Sequence, residues 1–188
     1  MVKTLFPLLC IALATSVQNA NKDSAPSLSS VVIVTDGLPQ GCHLPPRVAV
    51  NEDAVTITGA SIPENPWVGS DSTVISGILQ IVDPPLSVPD GPPPDPRTLR
   101  LLSLQYARKI SEGAMAIYDS GNGLISLYAL KYRDSADMPP SSSVQTNKPD
   151  TFEVRYGAVR IMMLGNGTEC SLAIAKHVKS MAPEGAAP

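Results

Sequence analysis

Aromatic side chains are scarce in this chain: one Trp, two Phe and five Tyr among 188 residues. Carbohydrate-cleaving clefts are usually lined with aromatics, so this supply argues against one. Histidine is scarcer, with only His43 and His177. Neither falls in HExxH or a comparable metal-ligand spacing, and each reads as a surface or packing residue rather than a base. There is no CxxC, and Cys42 beside His43 is the wrong geometry for a zinc site. No G-x-S-x-G elbow occurs; Gly69-Ser70-Asp71-Ser72 reads as a loop. These absences leave no catalytic residue, no metal ligand and no cofactor to assign.

Charge is thin as well. Charged residues make up 16% of the chain, 14 Lys and Arg stand against 17 Asp and Glu, and the net charge is −3. The basic residues are scattered in sequence, which argues against nucleic acid or an anionic membrane surface as partner. No apolar run reaches the roughly 20 residues of a membrane span. Paired carboxylates remain as an enzyme option, Glu52 with Asp53, or Asp119 or Glu153 beside a sheet. A hydrolase needs two of them facing across a cleft, and turn chemistry already accounts for Asp53 and Asp119.

What the chain does contain begins with Met1 to Ala20. Lys3 precedes the apolar run Leu5–Ala14, and small residues follow, the pattern of a secretory signal peptide with cleavage after Ala14, Ser16 or Ala20. Export then places Cys42 and Cys170, the pair left once Cys10 is removed, in an oxidising compartment where a bridge is expected. Closing so long a loop is worth about 4–5 kcal/mol by chain-entropy reasoning. Asn166-Gly167-Thr168 has the form of an N-glycosylation acceptor.

The length suits one domain with a real core. Residues 21–30 read as a flexible leader, 31–179 as a single β-rich domain and 180–188 as a disordered tail. Seven prolines crowd positions 84–96, a stiff crossover. Its PxxP spacings, Pro89–Pro92 and Pro93–Pro96, also have the form of a ligand for a proline-binding groove.

The firmest local pattern is Ala114–Tyr118 and Leu124–Tyr132 flanking Asp119-Ser120-Gly121-Asn122-Gly123, a β-hairpin. Leu124, Ser126, Tyr128, Leu130 and Tyr132 alternate with Ile125, Leu127, Ala129, Lys131 and Arg133. Strands are expected at Val31–Thr35, Arg47–Val50, Ala54–Thr58 and Thr73–Val82, the last with a bulge at Gly77. Thr151–Tyr156 and Ala158–Leu164 follow as strands. A second hairpin turn is expected at Gly165–Thr168, with Glu169–Lys176 as its return strand. Asp95-Pro96 caps one amphipathic helix, about 96–111, carrying Leu99, Leu102, Tyr106 and Ile110, with Leu101 and Leu104 widening that apolar stripe and Arg97, Arg100, Arg108 and Lys109 on much of the remainder. The helix is expected to lie across the sheet, and Lys131, Arg133, Glu153 and Arg155 to form solvated strand faces.

The expected fold is therefore mainly β, an antiparallel sandwich or barrel with that one helix. The expected function is a secreted binding or interaction protein presenting loops, with Trp67 as a binding anchor or as a plug for one end of the core. The alternative is a structural component of a cell-surface or virus-like particle that associates with copies of itself, and the third choice is a carboxylate hydrolase.

Overall fold

The computed structural model describes residues 26–46, 64–82, 95–139, 151–165 and 168–181. The signal peptide, the strands at Arg47–Val50 and Ala54–Thr58, the body of the proline-rich stretch, Asn166 and residues 182–188 of the expected tail lie outside these residues, while Ser180 and Met181, expected in that tail, are helical. The elements are α1 (Leu28–Val32), β1 (Trp67–Gly69), α2 (Ser72–Val82), α3 (Pro96–Ala107), β2 (Ile110–Asp119), β3 (Leu124–Tyr132), β4 (Thr151–Tyr156), β5 (Val159–Leu164) and α4 (Glu169–Met181). Five strands form one sheet in the order β1-β2-β3-β5-β4, every pair antiparallel.

The expected hairpin is the centre of this sheet. β2 and β3 pair from Ile110↔Tyr132 to Asp119↔Leu124. The turn is closed by Ser120 N–H and Oγ–H, which both donate to Gly123 O at 3.0 and 2.8 Å. The Gly121 N–H donates to the Asp119 carboxylate at 2.7 Å.

Both faces of the hairpin are covered by helices. On one face Ala114, Ala116, Tyr118, Ile125, Leu127 and Ala129 pack with Leu28, Val31 and Val32 of α1 and with Cys170, Ile174 and Val178 of α4. On the other, Met115, Ile117, Tyr128, Leu130 and Tyr132 pack with Val74, Ile75, Ile78, Leu79 and Val82 of α2. Tyr118 reaches through the first face: its hydroxyl donates to Val32 O and accepts from Val34 N–H at 2.8 Å, fixing the end of α1. Burial pushes its phenol above the ordinary value of 10.0.

Four local expectations are corrected. Val31–Thr35 does not form a strand. Leu28, Val31 and Val32 share a helical face behind the Ser27 cap, and Leu28, inside the expected leader, is buried. Thr73–Val82 is helical: Val74, Ile75, Ile78, Leu79 and Val82 recur at helical spacing, and the Asp71 carboxylate accepts from Thr73 N–H at 2.7 Å. Glu169–Lys176 belongs to α4, whose Cys170, Ile174 and Val178 fall four apart on the buried face. The second hairpin instead turns at Gly157-Ala158, where Gly157 adopts φ 56°, and joins β4 to β5.

The outer edge of β2 is closed by three devices in steps of two residues. Gly69 and Trp67 of β1 pair with Gly113 and Met115. The Asn65 side chain then stands in for a strand: its Oδ1 accepts from Ile117 N–H and its Nδ2 donates to Ile117 O, both at 2.8 Å. The same Nδ2 donates to Pro45 O. Finally the His43 and Asp119 backbones exchange bonds of 3.0 and 2.9 Å. Replacing Asn65→Ala strands the buried Ile117 amide and carbonyl and should cost about 2–3 kcal/mol in urea unfolding. A cost near zero would show that water takes over the amide's role.

Candidate functional site

α3 is the helix expected from the sequence, and it starts as expected. The Asp95 carboxylate accepts from Arg97 N–H at 2.9 Å and Thr98 N–H at 3.1 Å, and the Thr98 hydroxyl donates to its other oxygen. These bonds, the Thr98 hydroxyl first, hold the carboxyl below its ordinary 3.8. The helix ends sooner than expected, at Ala107, because Ile110 already begins β2. It also lies against α2 rather than across the sheet.

The buried side chains of α3 are Ser103 and Ala107, small enough for a close approach to α2. Its larger apolar residues are left at the surface. Leu99, Leu102 and Leu104 are half-buried. Tyr106 is 42% and Leu101 63% exposed. Arg97, Leu101, Leu104 and Arg108 stand at i, i+4, i+7 and i+11, so they form one stripe in which two leucines are bracketed by arginines. At 1.5 Å per residue the stripe is about 16 Å long.

The strands add to this basic surface at the far end of α3. Arg133 donates from its backbone N–H to Lys109 O at 2.8 Å and from Nε to Arg108 O at 3.0 Å, which places a cation at the helix C-terminus. A 3₁₀ turn, Ser135–Asp137, brings Asp137 to within 2.8 Å of Lys109 Nζ. That contact raises the Lys109 pKa above its ordinary 10.5. The same ammonium lies 5.5 Å from the centre of the Tyr106 ring. Among the described residues, Arg97, Arg100 and Arg108 form no ion pair.

A second charged cluster lies on the α2 side of the sheet. Glu153 accepts from Arg155 Nε and from Arg160 Nε and Nη2, the latter two at 3.1 and 3.2 Å. Arg155 Nη1 donates to Pro139 O. Arg160 is completely buried, and the Glu153 and Arg155 side chains are mostly so. The expectation of solvated faces at Glu153 and Arg155 is thus corrected: both side chains are mostly buried, and Arg155 is tied to the chain at Pro139. Two guanidinium groups share one carboxylate here, largely enclosed, the pattern of a structural ion cluster.

The other residues singled out by sequence do not gather into one place. Trp67 opens β1, and its ring lies over Gly69 and Gly113. A Cβ on Gly113 would come within 3.0 Å of Ile75 Cγ1 and 3.3 Å of Trp67 Cζ3, so glycine is what allows α2 and the indole to close on β2. Cys42 and Cys170 are joined, with Cα atoms 5.5 Å apart, and tie the segment beside β2 to α4. His43 serves the β2 edge through its backbone, and His177 Nε2 lies 3.1 Å from Ser30 O, between α4 and α1. Asp119 holds its own turn. Glu52, Asp53 and Asn166 lie outside the described residues. Among those described, no cluster of His, Cys, Asp and Glu could hold a metal ion, and no helix is long and apolar enough to cross a membrane.

The α3 stripe went unrecognised in sequence because Leu101 and Leu104 were counted with the buried side. The signal was present as the i, i+4, i+7, i+11 spacing, but only the position of α2 shows which side of α3 is inside.

Two measurements check this construction. Because the Asp95 pKa is lowered by folding, its contribution is complete above 3.8 and is lost as pH falls through the folded value. Amide protection at Arg97 and Thr98 should therefore drop on acidification below that pH. Asp95→Asn, which keeps an acceptor but does not titrate, should flatten the profile; an unchanged profile would remove the cap from the account. Replacing Cys42 and Cys170 together by Ala should lower unfolding free energy by about 2–5 kcal/mol, and no loss would mean the tie is idle.

No family model, curated protein or solved structure matches this chain.

Proposed function

We propose that this chain is an exported binding module that docks a protein partner on the exposed side of α3. The observation that carries this reading is the inversion on α3, which buries Ser103 and Ala107 and leaves Leu101 and Tyr106 in solvent. Arg is among the residues that dominate the energetics of protein interfaces, and on this side of α3 Arg97 and Arg108, which form no ion pair among the described residues, bracket the exposed Leu101. The Cys42–Cys170 bond fits the oxidising compartment that the N-terminal pattern implies. The hydrolase reading draws no support from Glu153, whose carboxylate is taken by two arginines, or from Asp119, which is used in its turn.

Leu172, on α4, is 69% exposed and supplies an internal control for mere stickiness. A photo-crosslinking residue placed at Leu101 should give one adduct of defined mass in the secreted fraction of the producing cells, and the same residue at Leu172 should give none. Equal labelling at both positions, or none at Leu101, would overturn the α3 surface. Light scattering over a concentration series separates the assembly alternative: the docking reading expects a monomer, and concentration-dependent growth lost in Leu101→Ser would assign the surface to self-association instead.

A further inference from the structure

The chemistry of the α3 stripe specifies what lies on it. We infer that the occupant is an acidic amphipathic helix of a protein partner, lying alongside α3 with apolar residues against Leu101 and Leu104 and carboxylates meeting Arg97 and Arg108. This inference rests on the docking reading above and adds the partner's chemistry to it.

Charge complementarity is the first argument. Between Asp95, which is consumed by the helix cap, and Glu112 on β2, the chain carries Arg97, Arg100, Arg108 and Lys109 and no acid. Lys109 is neutralised by Asp137, whereas the three arginines have no ion partner among the described residues. Arg133 adds a further cation where α3 ends. Guanidinium groups pair with carboxylates and phosphates alike in a fixed two-pronged geometry, and it is the leucines between Arg97 and Arg108 that favour carboxylates carried on an apolar helix face.

Spacing is the second argument. Arg97 and Arg108 are eleven residues apart with Leu101 and Leu104 between them, all on one stripe. A helix packed nearly parallel or antiparallel to α3 presents its own stripe with the same repeat, so carboxylates about 16 Å apart with two apolar residues between them meet all four positions.

The same arrangement disfavours a lipid surface. Leu101 and Tyr106 are the exposed apolar residues of α3, and five residues put them about 140° apart around the helix axis. A flat interface therefore reaches one of them at a time. The side of α3 that a membrane-lying helix would bury is already occupied by α2. A second copy of this chain fits less well too, because the exposed stripe of α4, Glu169, Leu172, Lys176 and Lys179, offers one acid and two further cations.

The test uses the full disulfide-bonded chain, labelled with ¹⁵N, and a synthetic helical peptide with leucines at two central stripe positions and glutamates bracketing them eleven residues apart. Binding should shift the amides of Leu101, Leu104, Arg108 and Arg133. Replacing the two glutamates by glutamine should weaken binding at least tenfold, as should Arg97→Glu combined with Arg108→Glu, and affinity should fall with added salt. Thermal unfolding of the double variant, measured beside wild type, confirms that it folds; if it does not, the peptide comparison alone decides. Equal binding of the glutamine peptide, or saturable binding to phosphatidylglycerol vesicles or to single-stranded DNA at lower concentration than to the peptide, would overturn the inference. A crosslink at Leu101 together with indifference to peptide charge would leave the docking surface standing and remove only the acidic helix.

Discussion

The constraint on which this structure depends is that the β2–β3 hairpin is apolar on both sides. Ala114, Ala116 and Tyr118 alternate with Met115 and Ile117, and Ile125, Leu127 and Ala129 with Tyr128, Leu130 and Tyr132. An antiparallel sheet can leave one face in water when that face is polar, but this one has no such face. Two layers of helix are therefore required, α1 with α4 on one side and α2 on the other. Once α2 fills the second side, the sheet has no place left for α3. The helix settles on α2 through its two small side chains, and its leucines stay outside. The exposed stripe thus follows from how the core is covered rather than from any weakness in the packing of α3.

The same constraint explains the work done by the segments around the sheet. Burying both faces makes every unpaired backbone group at an edge expensive. Along β2 the chain answers with a three-residue strand, a side-chain amide and one backbone bridge, a sequence of partners with almost no regular structure of its own. The disulfide holds part of that arrangement in place, since Cys42 is adjacent to the bridging His43 and its partner Cys170 lies in the first turn of α4. The β2 edge and the cover of the first face are in this way coupled through one covalent bond. Tyr118 makes a comparable link by hydrogen bonds, from the middle of the core to the end of α1.

These relations also determine what could be read from sequence. The hairpin was legible because period-two alternation, a Gly-rich turn and strand propensity agree over more than twenty residues. The antiparallel sheet and the capped helix at Pro96 were legible for similar local reasons. α2 was not, because a helix buried on nearly every side loses its polar stripe, and TVISGILQIV then reads as a β-branched strand. α4 was masked by Gly165-Asn166-Gly167, which carries the composition of a hairpin turn whatever follows it. The candidate surface was legible only in part. Its basic and apolar residues were assigned to the correct helix, but which of them face water depends on α2, and Arg133 reaches Arg108 only through the folding of β3.

The two arginine groups show how position in the fold decides what one side chain does. Arg160 is fully buried, Arg155 is tied to the chain at Pro139, and the two share Glu153 where little water reaches. Removing Glu153 would leave buried cations, and the cluster is therefore bound to the fold. Arg97, Arg100 and Arg108 sit on a helix that is outside the core yet firmly held, by the Asp95 cap at one end, Arg133 at the other and α2 along its length. A rigid helix of this kind pays little ordering entropy when a partner arrives, so its arginines and leucines are already arranged for contact. Exposed, preorganised and without an ion partner among the described residues, they form a surface whose interactions are still to be satisfied, whereas the enclosed arginines already share Glu153.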